Sequence, residues 1–151
     1  MSTRNRSYEE LGRQTMLARA AAIGAKVGDR RYCGVDPGLA HMGYGVVAQD
    51  SHGDLRELCS GTISTEAPLP DGTRMEHLKR ALGDVIRRTD PHAIVVEDVA
   101  VGRNTSVVVK TSLSLGIVIE LAHEYGIELV RYTPASVKRR VAGTGNAEKA
   151  A

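Results

Sequence analysis

The order of segments predicts an α/β domain built on a mixed sheet. Three strand-like runs follow one another near residues 31–37, 43–49 and 54–64, and helical and strand patterns then alternate, giving β-β-β-α-β-α-β-α. A meander of three strands supplies the antiparallel pairs and the alternating remainder the parallel ones. Connections of this kind set the first strand beside the fourth, with the ends of both at one edge of the sheet.

Each element has a local reason. Residues 8–26 read as a helix, with Leu11, Met16, Leu17, Ala20 and Ile23 interleaved with Arg and Lys, and Gly24 and Gly28 end the pattern. Residues 1–30 thus form a basic helical extension ahead of a main domain at 31–151. "QDSHGD" separates the second and third strands with hairpin-loop residues, and "EAPLPDG" is a loop. Over 73–89, Met75, Leu78, Leu82, Val85 and Ile86 recur at helical spacing. "HAIVVED" is a short continuous apolar run, as in a central strand buried on both faces. Residues 104–125 form a long helix that is apolar nearly all round, which predicts cover on two sides: the sheet on one and a partner subunit as the candidate for the other. "IELVRY" is the fifth strand. "TPASVKRRVAG" opens with a Thr cap and Pro in the first turn of a short helix.

Composition bounds the rest. The 151 residues suffice for one domain with a sizeable core. With five Tyr and neither Phe nor Trp, that core is aliphatic. No apolar run approaches the ~20 residues of a membrane span, and the N-terminus lacks a secretory apolar core. Cys33 and Cys59 lack metal-ligand spacing and read as reduced, packed thiols of a cytoplasmic protein. Residues 1–31 carry seven Lys/Arg against three acids, and residues 131–149 carry five against one; residues 32–130 hold eight bases and fourteen acids. Basic flanks suit a polyanion, an acidic centre suits cations, and random surface charge is the plainer alternative.

Two acids stand where chemistry is plausible. Asp36 ends the first strand and Glu97 the fourth, so adjacent parallel strands would make them neighbours. Like charges held close repel unless a cation sits between them, and converging hard oxygens suit Mg²⁺ or Mn²⁺. The alternative stays open for each: "DPG" is an ordinary turn, and an acid after a strand is often its first solvated residue. Asp98 alternates to the opposite face. The five histidines are scattered, with no pair at metal spacing, and His41 is a weak candidate near the Asp36 turn. "GTGNAEK" lacks the spacing of a phosphate-binding P-loop.

"GVDPGLAHMGYGVV", "AIVVEDVAVGRNTS" and "YTPASVKRRVAGTGNAEK" together resemble the RuvC family of Holliday junction resolvases, in the RNase H-like superfamily. The resemblance runs in order from about Tyr32 to Lys149. It implies an RNase H-like fold with a five-stranded mixed sheet flanked by helices. It also implies a homodimeric, Mg²⁺-dependent endonuclease, with Mn²⁺ as a substitute, that nicks four-way DNA junctions symmetrically. Asp36 and Glu97 match the family's metal-binding carboxylates. Lys138 and Lys149 match its basic residues near the scissile phosphate. Asn104 and Lys110 fall where the family approaches DNA, and Arg103 and Arg139 beside these positions are phosphate-contact candidates, with surface charge as the alternative. A branch-migration helicase is a candidate partner, and a bacterial or phage-infected cytoplasm is the implied setting.

Two departures from the family shape the expectations. The family commonly carries an aromatic residue three positions after the second carboxylate, where this chain has Ala100. That puts junction distortion in question, because a stacked base is worth roughly 1–3 kcal/mol. The family's final helix after the A-E-K motif carries further active-site acids, whereas this sequence ends at Ala151. The expectation is an incomplete two-metal shell, a poorly covered sheet face, and a second reading in which the fold grips branched DNA without cutting it. A nucleotide-binding ATPase of the actin and sugar-kinase type also opens with an Asp-Gly strand turn, but it needs a second lobe for which this length leaves no room.

Overall fold

Alternation of side chains decides the sheet. The computed structural model describes residues 23–99 and 105–133. In β1 (Arg30–Asp36) and β2 (His41–Gln49), buried residues recur at every second position over Arg31, Cys33 and Val35 and at Met42, Val46 and Ala48. β3 (Leu55–Ser64) completes the meander, and β4 (Ala93–Glu97) and β5 (Glu128–Tyr132) lie parallel to β1 on its other side. The order is β3-β2-β1-β4-β5, so the first strand does neighbour the fourth. The strand bounds differ from expectation by one or two residues, because pairing with Gly43 stops at Asp36 and pairing with Ser64 reaches back to His41.

Helices α1 (Asp71–Thr89) and α2 (Thr105–Glu124) cover one face. α1 starts two residues earlier than its apolar spacing predicts. Pro70 precedes it, Asp71 lies in its first turn, and Arg87 and Arg88 in its last turn oppose the helix dipole. It ends where Asp90 takes a left-handed conformation and donates its N–H to Ile86 O at 2.8 Å. Leu78, Leu82 and Ile86 of α1 and Leu115, Val118 and Leu121 of α2 meet Cys33, Val46, Ile94 and Val96 of the sheet in one aliphatic core. Each fully buried side chain of this size stabilises the fold by about 1.5–3 kcal/mol. Burial pushes the Cys33 thiol up to about 12, and both cysteines are free.

α2 buries one stripe: Ser114, Leu115, Ile117, Val118, Leu121 and Ala122. Val107 and Val109 in its first turns are 57% and 58% exposed. With a mean hydropathy of 1.5 over an 18-residue window of its 20 residues, α2 is long and apolar enough to cross a membrane by length and composition, contrary to the reading that no run approaches that length. Scattered small and polar residues conceal the run in the sequence. Its buried stripe packs in the common core with α1 and the sheet.

At the opposite end of the sheet from Asp36, the buried Arg31 guanidinium donates to Asp90 O at 2.8 Å and pairs with the Asp90 carboxylate at 3.1 Å. The Arg31 N–H donates to His92 Nδ1 at 3.0 Å. Residues 23–29 form turns rather than the end of a helix, because Gly24 and Gly28 take positive φ of 87° and 89°. An ion pair from Asp29 to Arg56 ties them to β3. The rest of the expected N-terminal helix and the "TPASVKRRVAG" helix lie outside the described residues.

Candidate functional site

The helices lie on one face, so the residues between the core positions point to the other. Strand register aligns these residues in rows. One row reads Ser60, Gly45, Gly34, Val95, Val130 across the sheet. The next row towards the strand ends reads Thr62, Gly43, Asp36 on one side and Glu97, Tyr132 on the other. The parallel register of β1 and β4 ends at Val35 opposite Val96, and Asp36 and Glu97 follow immediately. The two acids therefore stand side by side at the carboxyl ends of adjacent parallel strands, about 5 Å apart at the backbone.

Around them lies an open trough of about 620 Å³ lined by residues that include Asp36, Glu97, Gly43, Gly45, Ser60 and Thr62. Its floor is flat because Gly34 and Gly45 face each other without side chains. A Cβ on Gly43 would sit 3.5 Å from that of Asp36. Among the described residues, neither Asp36 nor Glu97 has a hydrogen-bond or ion-pair partner.

The turn after Asp36 is tightly set. A Cβ on Gly38 would fall 2.3 Å from the His41 carbonyl oxygen, so only glycine fits there without movement. Leu39 anchors the turn in the core. His41, beyond it, sits on the surface with its Nδ1 3.0 Å from Ser64 Oγ and does not reach the carboxylates' row. Asp98 is turned away, paired with Arg131 at 2.5 Å.

The structure thus brings two of the expected site residues together, Asp36 and Glu97. Lys110 is exposed in the second turn of α2, the helix that follows Glu97 in the chain. Arg103, Asn104, Lys138, Arg139 and Lys149 lie outside the described residues, as does Ala100. Among the described residues, no group of three or more His, Cys, Asp or Glu could hold a metal ion. The open trough was not read from the sequence. Its signal is the spacing of Gly34, Gly43 and Gly45 on the same face as Asp36.

Comparison with known proteins fits this geometry. The family model described as crossover junction endodeoxyribonuclease RuvC matches residues 32–151. The RuvC of Thermomicrobium roseum is 38% identical over 119 residues, covering 79% of this chain and 72% of that one. The RuvC of Syntrophomonas wolfei is 35% identical over 116 residues, covering 77% and 67%. Thermus thermophilus RuvC in complex with a Holliday junction substrate superposes with a TM-score of 0.72 at 31% identity, covering 80% of this chain and 73% of that one. Another structure of Thermus thermophilus RuvC gives 0.71 at 32% identity, covering 79% and 73%. The five-stranded mixed sheet with its helices is that of an RNase H-like fold, and the chain belongs to the RuvC family of crossover junction endodeoxyribonucleases.

Proposed function

We propose that this protein is a metal-dependent endonuclease that cuts four-way DNA junctions by hydrolysing phosphodiester bonds, acting as a homodimer. The observation that carries the reading is the pair Asp36 and Glu97, side by side and unpartnered among the described residues, in an open trough of a RuvC-family chain. Two neighbouring carboxylates without a cationic partner suit a hard divalent cation, Mg²⁺ or Mn²⁺, whose remaining ligands would be water and phosphate oxygens or groups outside the described residues. When bound, such a cation supplies a Lewis acid and lowers the pKa of water at the scissile phosphate.

The protein's own groups do the rest. Asp36 and Glu97 hold the cation at the strand ends. The glycine floor at Gly34 and Gly45 lets a sugar-phosphate backbone approach the sheet without meeting side chains. Lys138 and Lys149 neutralise the phosphate at the cut, while Arg103, Asn104, Lys110 and Arg139 contact the flanking backbone. The apolar first turns of α2 at Val107 and Val109 form the twofold contact, which places two such troughs on one junction.

The test is nicking of a synthetic four-way junction by the purified chain in Mg²⁺ or Mn²⁺, beside Asp36→Asn and a linear duplex. Cleavage of the junction that is lost in the Asn variant is expected. Binding without cleavage would refute the enzyme reading and leave a module that grips branched DNA.

A further inference from the structure

The turn between β1 and β2 is fastened from outside the site. Thr65, the first residue after β3, holds it twice. The Thr65 N–H donates to Ala40 O at 2.9 Å, and its hydroxyl donates to Leu39 O at 2.5 Å. A hydroxyl has one proton, so a second contact must use its lone pairs. That contact is Arg74, whose Nε donates to Thr65 Oγ1 at 2.9 Å. The direction of the chain is therefore fixed: Arg74 gives to Thr65, and Thr65 gives to Leu39.

Arg74 is an odd residue to bury. It is 4% exposed, and its ion-pair partner is Asp71, 3.5 Å away with a half-exposed carboxylate. A buried guanidinium held by so loose a partner is costly unless its donors are otherwise used. Its donor Nε is spent on the turn that follows Asp36. The far side of that turn is closed as well, by Gly38 against His41 O and by the buried Leu39 side chain. Asp36 ends β1 immediately before this fastened segment.

We infer that Thr65 and Arg74 are positioning residues, which hold the Pro37–Ala40 turn so that the Asp36 carboxylate stays beside Glu97. The inference rests on the proposed role of Asp36. Neither residue lines the trough, so neither is required to touch DNA or a cation. A misplacement of about 1 Å at a reacting group costs on the order of 100-fold in rate, so a loosened turn registers in turnover before it registers in binding.

The experiment compares Thr65→Val, which keeps the shape and removes the hydroxyl, with Thr65→Ser, which keeps the hydroxyl. Two quantities are read: exchange of the residue-65 amide by NMR, relative to the amides of the β2–β3 ladder, and junction turnover against junction Kd. In the Val variant the residue-65 amide is expected to exchange about tenfold faster or more while the ladder is unchanged. Turnover is expected to fall about tenfold or more, with Kd within about twofold. The Ser variant restores both. The inference is overturned if the Val variant keeps its amide protection, if Ser fails as Val does, or if the loss lies in Kd. A wild-type chain that cuts no junction would sink the proposed function instead, and the amide exchange would still decide whether the turn is held by Thr65.

Discussion

Replacing Asp36 by Asn separates what the site costs from what it does. Asp36 and Glu97 are neighbours on adjacent strands, with no cationic partner among the described residues. At a carboxylate separation of about 6 Å and an effective dielectric constant of about 40–80, two like charges repel by about 0.7–1.4 kcal/mol. Physiological salt, with a Debye length of about 8 Å, brings this to roughly 0.3–0.7 kcal/mol. Asn is nearly the same shape and uncharged, so in EDTA the variant should melt higher than wild type by about 1–3 °C. A divalent cation reverses the order. At ten times its dissociation constant it stabilises the wild-type chain by about 1.4 kcal/mol, and the variant gains much less. The assay is thermal unfolding of both proteins with and without Mg²⁺ or Mn²⁺. An Asn variant that melts lower than wild type in EDTA would refute the repulsion, and equal shifts on adding the cation would refute a cation held by Asp36.

Three other outcomes are expected. Gly38→Ala drives a Cβ towards the His41 carbonyl at 2.3 Å, and relieving that overlap costs about 1–3 kcal/mol; its melting temperature should fall by several degrees, and an unchanged value would show that the turn yields freely. Val109→Glu places a charge on exposed apolar surface of α2, so on the proposed twofold contact sedimentation should move from dimer to monomer while circular dichroism is unchanged; a wild type that sediments as a monomer would refute that contact. His92 is held below its ordinary range chiefly by partial desolvation, then by Arg31, and its Nδ1 accepts the Arg31 N–H at 3.0 Å. A base depressed in this way contributes stability that is present above its unfolded value of about 6.5 and lost as pH falls through the folded one. The wild type should therefore lose ground to His92→Gln in melting temperature between pH 7.5 and pH 5, and a difference independent of pH would count against a desolvated His92 beside the Arg31 charge.

The elements themselves were legible because each carries a strong period. The run over Ala93–Glu97 reads as a buried strand from its shortness and its β-branched residues, and the 3.6-residue spacing of Leu78, Leu82 and Ile86 reads as a helix. The neighbourhood of Asp36 and Glu97 followed from topology, since a meander followed by a crossover sets β1 beside β4. Residues 23–26 were misread because Ile23 prolongs the apolar pattern of the preceding segment, whereas Gly24 at a φ of 87° stops it. The fastening of the turn was illegible for another reason. Thr65 and Arg74 are nine residues apart, on the exit of β3 and the first turn of α1, and nothing in their local pattern points to a carbonyl at Leu39.

The two faces of the sheet show how fold and function divide the chain. Along β1, Cys33 and Val35 enter the core, while Gly34 and Asp36 between them face the trough. A side chain at Gly34 would meet the Gly45 carbonyl oxygen at the ordinary contact distance of 3.7 Å, so packing does not demand a glycine there. Glycine in a strand weakens it by about 0.5–1 kcal/mol relative to Ala, and its partner Gly45 repeats the loss in β2. A face that served only stability would fill both positions with β-branched residues. The chain leaves them bare in the row next to two carboxylates that are unpaired among the described residues, which is the surface that the proposed approach of a sugar-phosphate backbone requires.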